Sequence, residues 1–100
     1  GTMRVRKKSY ARPELEASDL VITEPHKYKG RWAEIFKNNS PIYLELGCGT
    51  GSFICENALC NLGVNYIGID MKDEILVYAK RNIEKMLCQA NRLPANVRLI

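Results

Sequence analysis

The chain has 100 residues, 46% of them apolar and 26% charged, a balance that excludes a disordered tail and suits one small domain or part of a larger one. No apolar run approaches the ~20 residues that cross a bilayer, and no signal peptide opens the chain. The formal charge of +4 is concentrated: residues 1–12 hold Arg4, Arg6, Lys7, Lys8 and Arg12 without an acid, which leaves ten cations against eleven acids elsewhere.

Gly1 and Thr2, ahead of Met3, read as a tag remnant. Residues 1–23 then form a basic N-terminal arm, and a basic arm on a near-neutral body is either a contact for phosphate or anionic lipid or a solvated tail. Within it, "YARPELEASDLVI" is expected to be loop or short helix, closed by Glu24-Pro25. In "YKGRWAEIF", Trp32, Ile35 and Phe36 fall on one face of a short amphipathic helix. Trp32 is read first as core and second as a stacking surface for a base. "KNNSP" is a turn.

From Ile42 the pattern changes. "IYLEL" is a short apolar run that suits a buried parallel strand, and a glycine-rich loop follows it. "SFICENALCNL" has helical composition, with Ile54, Ala58 and Leu62 along one side and Gly63 as its stop. "NYIGID" is a second strand ending at Asp70. The clearest helix is "KDEILVYAKRNIEKMLCQA", striped by Ile75, Ala79, Ile83, Met86, Leu87 and Ala90. Asp73 and Glu74 in its first turn and Lys85 near its end agree with the macrodipole. "NVRLI" begins a third strand after a loop.

Strand, glycine loop, helix, strand, acid, helix, strand is the opening of a doubly wound, Rossmann-like α/β domain. Three parallel strands do not cover both faces of such a sheet, and the order breaks off inside the third. Residues 24–100 are therefore expected to be the N-terminal part of a fold that continues beyond Ile100.

The loop itself, "YLELGCGTG", carries Gly47, Gly49 and Gly51 at alternate positions. In this fold, ligands bind at the carboxyl ends of the strands, where glycines let the backbone approach closely. An acid closing the next strand can accept hydrogen bonds from a ribose, and Asp70 stands 19 residues after Gly51, near the expected ~20. A helix cap is the plainer role for Asp70. The dinucleotide fingerprint G-x-G-x-x-G needs glycine at 52, where this chain has Ser52, which disfavours a nicotinamide dehydrogenase. Cys48, Cys55, Cys60 and Cys88 form no C-x-x-C pair, and with His26 as the single histidine no metal set assembles. They read as apolar fillers in a reducing compartment, Cys48 included, since no base lies near it in sequence to make it a nucleophile.

The pattern E-x-G-x-G-x-G resembles motif I of the class I S-adenosylmethionine-dependent methyltransferases. The flanks narrow this: "RVRKKSYARPELEA", "YKGRWAEIF", "NNSPIYLELGCGTGSF" and "NYIGIDMKDEILVYA" resemble, in order and over residues 4–100, the bacterial tRNA (guanine-N7)-methyltransferase family. The resemblance implies S-adenosylmethionine as cofactor, held by Glu45, Gly47, Cys48, Gly49, Gly51, Asp70 and Met71. Glu45 would face the cofactor's ammonium end, its plainer role being to cap backbone amides. The resemblance also implies methyl transfer to N7 of a variable-loop guanosine in tRNA, in the cytoplasm, as monomer or homodimer, with no metal and no membrane. Arg4, Arg6, Lys7, Lys8 and Arg12 would then grip tRNA phosphates, with Tyr10 free to stack and Lys27, Lys29 and Arg31 extending the patch. The family's catalytic and adenine-contacting acids are expected beyond Ile100, so this portion alone is expected to be inactive. The rival readings are a class I methyltransferase for another RNA, a protein or a small molecule, and a non-catalytic RNA-binding scaffold.

Overall fold

Parallel strands need crossover segments that cover them, and the chain meets this demand mostly on one side of a small sheet. The computed structural model describes residues 10–93 and 96–100. Helix α1 (Ala11–Glu16) is followed by a 3-10 turn (Pro25–Tyr28) and the single-turn helix α2 (Ala33–Phe36). Strand β1 (Ile42–Leu46), helix α3 (Ser52–Cys60), strand β2 (Asn65–Ile69), helix α4 (Asp73–Gln89) and strand β3 (Val97–Leu99) complete the order. The sheet runs β1-β2-β3, parallel throughout, with Ile42 opposite Asn65, Leu46 opposite Ile69, and Gly68 opposite both Glu45 and Leu99. This is the expected α/β fold in part: the opening units of a Rossmann-like sheet.

Alternation assigns the two faces of the sheet. Tyr66, Val97 and Leu99 point to one side, where they share a buried core with Ile54, Ala58, Leu76, Ala79, Ile83 and Leu87 of α3 and α4. The other side carries Leu44, Ile67 and Arg98 in register. There α2 supplies a partial cover: Phe36 is buried, and the Arg98 guanidinium sits 5.4 Å from its ring centroid. Of the three residues expected on one helical face, Phe36 is buried, while Trp32 and Ile35 are half-buried. Trp32 lines an apolar hollow of about 260 Å³ with Ile42, Leu44, Ile67, Ile69 and Ile100.

Several expectations need correction. Helix α3 ends at Cys60, before Gly63, so Leu62 lies beyond it and is 62% exposed, and Cys60 and Cys88, expected as apolar fillers, are exposed while Cys48 and Cys55 are buried. The run "IYLEL" is expected to be buried, yet Tyr43 is 46%, Leu44 55% and Leu46 79% exposed, because β1 is the sheet edge and α3 packs on β2 and β3 rather than on it. Helix α4 buries Leu76 and Val77 in addition to Ala79, Ile83 and Leu87, whereas Ile75 and Met86 are half-buried and Ala90 is exposed. The cause is that α4 packs against α1 as well as α3, so its buried face is wider and rotated from the single stripe.

Residues 11–22 are part of this body. Ala11, Leu15 and Leu20 are buried in the common core, and burying a leucine side chain contributes about 1.5–3 kcal/mol. Leu99 N–H donates to Leu20 O and Ile22 N–H to Leu99 O, both at 2.8 Å, so this segment occupies the open edge of β3. Polar contacts tie α1 to α4. Arg81 donates from Nε and Nη2 to the two Glu14 carboxylate oxygens at 2.9 and 2.6 Å, and Lys80 reaches Glu14 at 3.1 Å and Glu84 at 2.9 Å. Arg81 also lies 5.5 Å from the centroid of the Tyr10 ring.

Those bonds from Arg81, with Lys80 assisting, hold the Glu14 carboxyl at about 2 against its usual 4.5. An acid depressed by folding adds stability that is complete above its unfolded value and is lost as pH falls through the folded one. The melting temperature should therefore decline between about pH 4.5 and 2, and Glu14→Gln should flatten that decline while lowering the melting temperature at pH 7. Melting curves of the two proteins that stay parallel down to pH 2 would show that the cluster contributes nothing.

Candidate functional site

The functional candidates gather at the carboxyl ends of β1 and β2. With Leu46 opposite Ile69, the two strands finish level, and the chain turns back at once: Gly47 N–H and Cys48 N–H both donate to Ile69 O, at 2.8 and 3.0 Å. Gly51 N–H then donates to Cys48 O at 2.9 Å, and α3 starts at Ser52. The turn needs left-handed backbone at Gly47 (φ 69°), Gly49 (φ 55°) and Gly51 (φ 74°), which side chains rarely adopt. Gly51 has a second constraint: a Cβ there would lie 2.8 Å from Ile83 Cδ1. A Cβ on Gly49 would meet nothing within 4 Å, so the loop is tight against α4 at one end and open in the middle.

Asp70 follows β2 directly. Its N–H donates to Ile100 O at 3.3 Å, and its Oδ1 accepts from Lys72 N–H at 3.3 Å, which leads the chain into α4. Asp70 and Gly47 share a hollow of about 470 Å³ with Leu46, Ile69, Met71, Lys72 and Ile75. Met71, 98% exposed, stands at its rim. Glu45 is half-buried and accepts no hydrogen bond from any described residue. Cys48 is turned away from the hollow and into the sheet, where its Cβ would lie 2.9 Å from one built on Gly68. Burial first, then the nearby charges of Asp70 and Glu45, push its thiol up to about 11, so it stays protonated and unreactive at neutral pH.

A family model described as a methyltransferase domain matches residues 37–93, the segment that carries this loop, Asp70 and α4. The chain belongs to the methyltransferase-domain family. Among curated relatives, a tRNA (guanine-N(7)-)-methyltransferase of Clostridium beijerinckii is 55% identical over 98 residues, which cover 98% of this chain and 45% of that protein. The protein of the same description from Clostridium tetani is 54% identical over 98% of this chain and 47% of its own length. That from Ruminiclostridium cellulolyticum is 57% identical over 83% of this chain and 35% of its own. The chain thus spans somewhat under half the length of these relatives. The resemblance carried by the glycine loop and its flanks agrees with this result.

Of the residues expected at the cofactor site, Gly47, Asp70 and Met71 line one hollow, Glu45 stands near the end of β1, Gly49 and Gly51 continue the loop towards α3, and Cys48 packs into the sheet. The arm residues do not all join them. Arg4, Arg6, Lys7 and Lys8 lie outside the described residues. Arg12 forms a two-bond ion pair with Asp73, Nη2 to Oδ1 at 2.5 Å and Nε to Oδ2 at 3.2 Å, in the first turn of α4. Lys27 and Arg31 are exposed and paired to Glu24 and Glu34, and Arg31 also donates to Lys27 O. Among the described residues no group of three metal-binding side chains assembles, and no helix is long and apolar enough to cross a membrane.

Sequence reasoning missed one participant. Asn82 on α4 donates through Nδ2 to Thr50 O at 2.9 Å and to Ser52 Oγ at 2.7 Å, bracketing Gly51. Its only signal is position, a short amide directly beside Ile83 on a helix striped for the core. Periodicity assigns such a residue to solvent.

Proposed function

We propose that this chain is the N-terminal part of a cytoplasmic enzyme that transfers a methyl group from S-adenosylmethionine to N7 of a variable-loop guanosine in tRNA. The similarity over 98% of the chain to proteins described as tRNA (guanine-N(7)-)-methyltransferases carries this reading. The donor set at the strand ends suits the cofactor. The open Gly49 backbone admits close approach, and the apolar hollow ends in the Asp70 carboxylate, which can accept hydrogen bonds from ribose hydroxyls. Glu45, without a hydrogen-bond donor of its own among the described residues, complements an ammonium group.

When bound, S-adenosylmethionine supplies a methyl group activated by its sulfonium. Guanine N7 has an in-plane lone pair, so no proton is removed before attack, and the work left to the protein is to orient two partners and exclude water. The inert Cys48 thiol is compatible with such a reaction, which needs no protein nucleophile. The basic residues of the N-terminal segment supply phosphate contacts for tRNA. Arg12 joins them with part of its charge already met by Asp73, since two of its five N–H donors are held there.

Incubating the full-length polypeptide with methyl-labelled S-adenosylmethionine and unmodified tRNA should place the label in 7-methylguanosine after digestion, with a rate that falls steeply as salt rises. Label in another nucleoside would retain the methyltransferase and discard the N7 assignment. Tight cofactor binding without transfer would discard the catalytic reading.

A further inference from the structure

We propose that Asn82 is a positioning residue that locks the glycine loop in its ligand-binding geometry; the inference deepens, and for its ligand rests on, the function proposed above. Its basis is the peptide unit between Thr50 and Gly51. The N–H end of that unit is held by Cys48 O at 2.9 Å and the C=O end by Asn82 Nδ2 at 2.9 Å, so both of its dipoles are pinned. Gly51 caps α3 in the left-handed region without a side chain of its own, and the side-chain acceptor at the helix start is Thr50 Oγ1, a long 3.4 Å from the Ser52 nitrogen. Asn82 reinforces that weak anchor from outside the loop. Its second hydrogen bond, to Ser52 Oγ at 2.7 Å, reaches a hydroxyl that also accepts from Thr50 Oγ1 at 3.2 Å.

The next residue on α4 completes the device. Ile83 is fully buried and fills the space in which a Gly51 Cβ would stand. One turn of α4 thus presents a wedge beneath Gly51 and a two-hydrogen donor across it. A peptide released at its carbonyl end can rotate about Thr50 ψ and the glycine-permissive Gly51 φ, which opens the turn closed by Gly51 N–H and Cys48 O and lets the loop leave the geometry that keeps Gly49 accessible. The neutral amide suits the place: an alanine offers no donor, and a carboxylate sets negative charge against the Thr50 carbonyl oxygen, which can only accept.

The test uses the full-length protein with Asn82→Ala and Asn82→Asp. Loss of the pair should weaken S-adenosylhomocysteine binding, measured by calorimetry, about tenfold in Asn82→Ala and further in Asn82→Asp at pH 7.5. Lowering the pH towards 5 should restore part of the Asn82→Asp affinity relative to the parent protein, because a protonated carboxyl can donate one of the two bonds. Amide exchange at residues 49–53, read without ligand, should accelerate about tenfold or more while the rest of α4 keeps its protection, and tRNA affinity without cofactor should stay unchanged. Variants that bind the ligand within twofold of the parent and exchange like it would overturn the inference. So would a melting temperature, tRNA affinity and ligand affinity that all fall in step, since that marks a general structural role. A parent protein that binds no S-adenosylhomocysteine, with faster loop exchange in the variants, would discard the cofactor and keep the clamp.

Discussion

Gly51→Ala is expected to destabilise the protein by about 2–5 kcal/mol, more than any other alanine replacement in the glycine loop. Two costs add at this position. A φ of 74° places an alanine in the left-handed region, worth about 1–2 kcal/mol. The added Cβ then meets Ile83 Cδ1 at 2.8 Å, Ile83 Cγ1 at 3.1 Å and Ala79 Cβ at 3.4 Å, and Ile83 is fully buried, so overpacking adds about 1–3 kcal/mol. Gly49→Ala is the control: φ is 55°, space is open, and only the backbone cost applies. Denaturant unfolding of the full-length variants checks the ranking. Ile83→Val in the Gly51→Ala background should recover part of the loss by removing the Cδ1 methyl that clashes. Equal effects at Gly49 and Gly51 would mean that contact with α4 does not decide the loop's tolerance.

The contrast between these two glycines also marks what could be read from sequence. Alternating glycines after an apolar run announce a tight turn at a strand end, because only backbone chemistry explains them. The acid 19 residues on announces the second strand end. Both signals are local, as is the stripe of α4, so the order of elements and the partial α/β fold were legible. The rest depends on residues far apart along the chain. Arg12 meets Asp73 across 61 positions, Asn82 meets Thr50 across 32, and Glu14 meets Arg81 across 67. Composition counts Arg12 as part of a free basic arm, whereas in the fold it faces a carboxylate. Periodicity marked Ile42 and Leu44 as apolar but could not show which partner covers them, and β1 stands at the sheet edge. Leu76 and Val77 are buried for the same reason in reverse, since α1 packs on a flank of α4 that the stripe leaves to solvent.

Asp70→Asn is expected to weaken S-adenosylhomocysteine binding about a hundredfold while shifting the melting temperature of the ligand-free protein little. On the function proposed here, the carboxylate accepts hydrogen bonds from two ribose hydroxyls, and bonds to a charged acceptor are worth about 1.5–3 kcal/mol each, of which the neutral amide retains a part. The choice of asparagine isolates this effect. Oδ1 of residue 70 also accepts from Lys72 N–H at 3.3 Å, and an asparagine keeps that acceptor and so the path into α4. Asp70→Ala removes both functions and should lower the melting temperature as well. The pair of variants therefore separates a ligand role from a helix-cap role. A cap alone predicts that asparagine is silent in both measurements and that only alanine destabilises. A ribose contact predicts that asparagine already loses most of the affinity at nearly unchanged stability, read by calorimetry beside a thermal melt. Asp70→Asn protein that binds the ligand within threefold of the parent would rule out the ribose contact and leave Asp70 as the residue that starts α4.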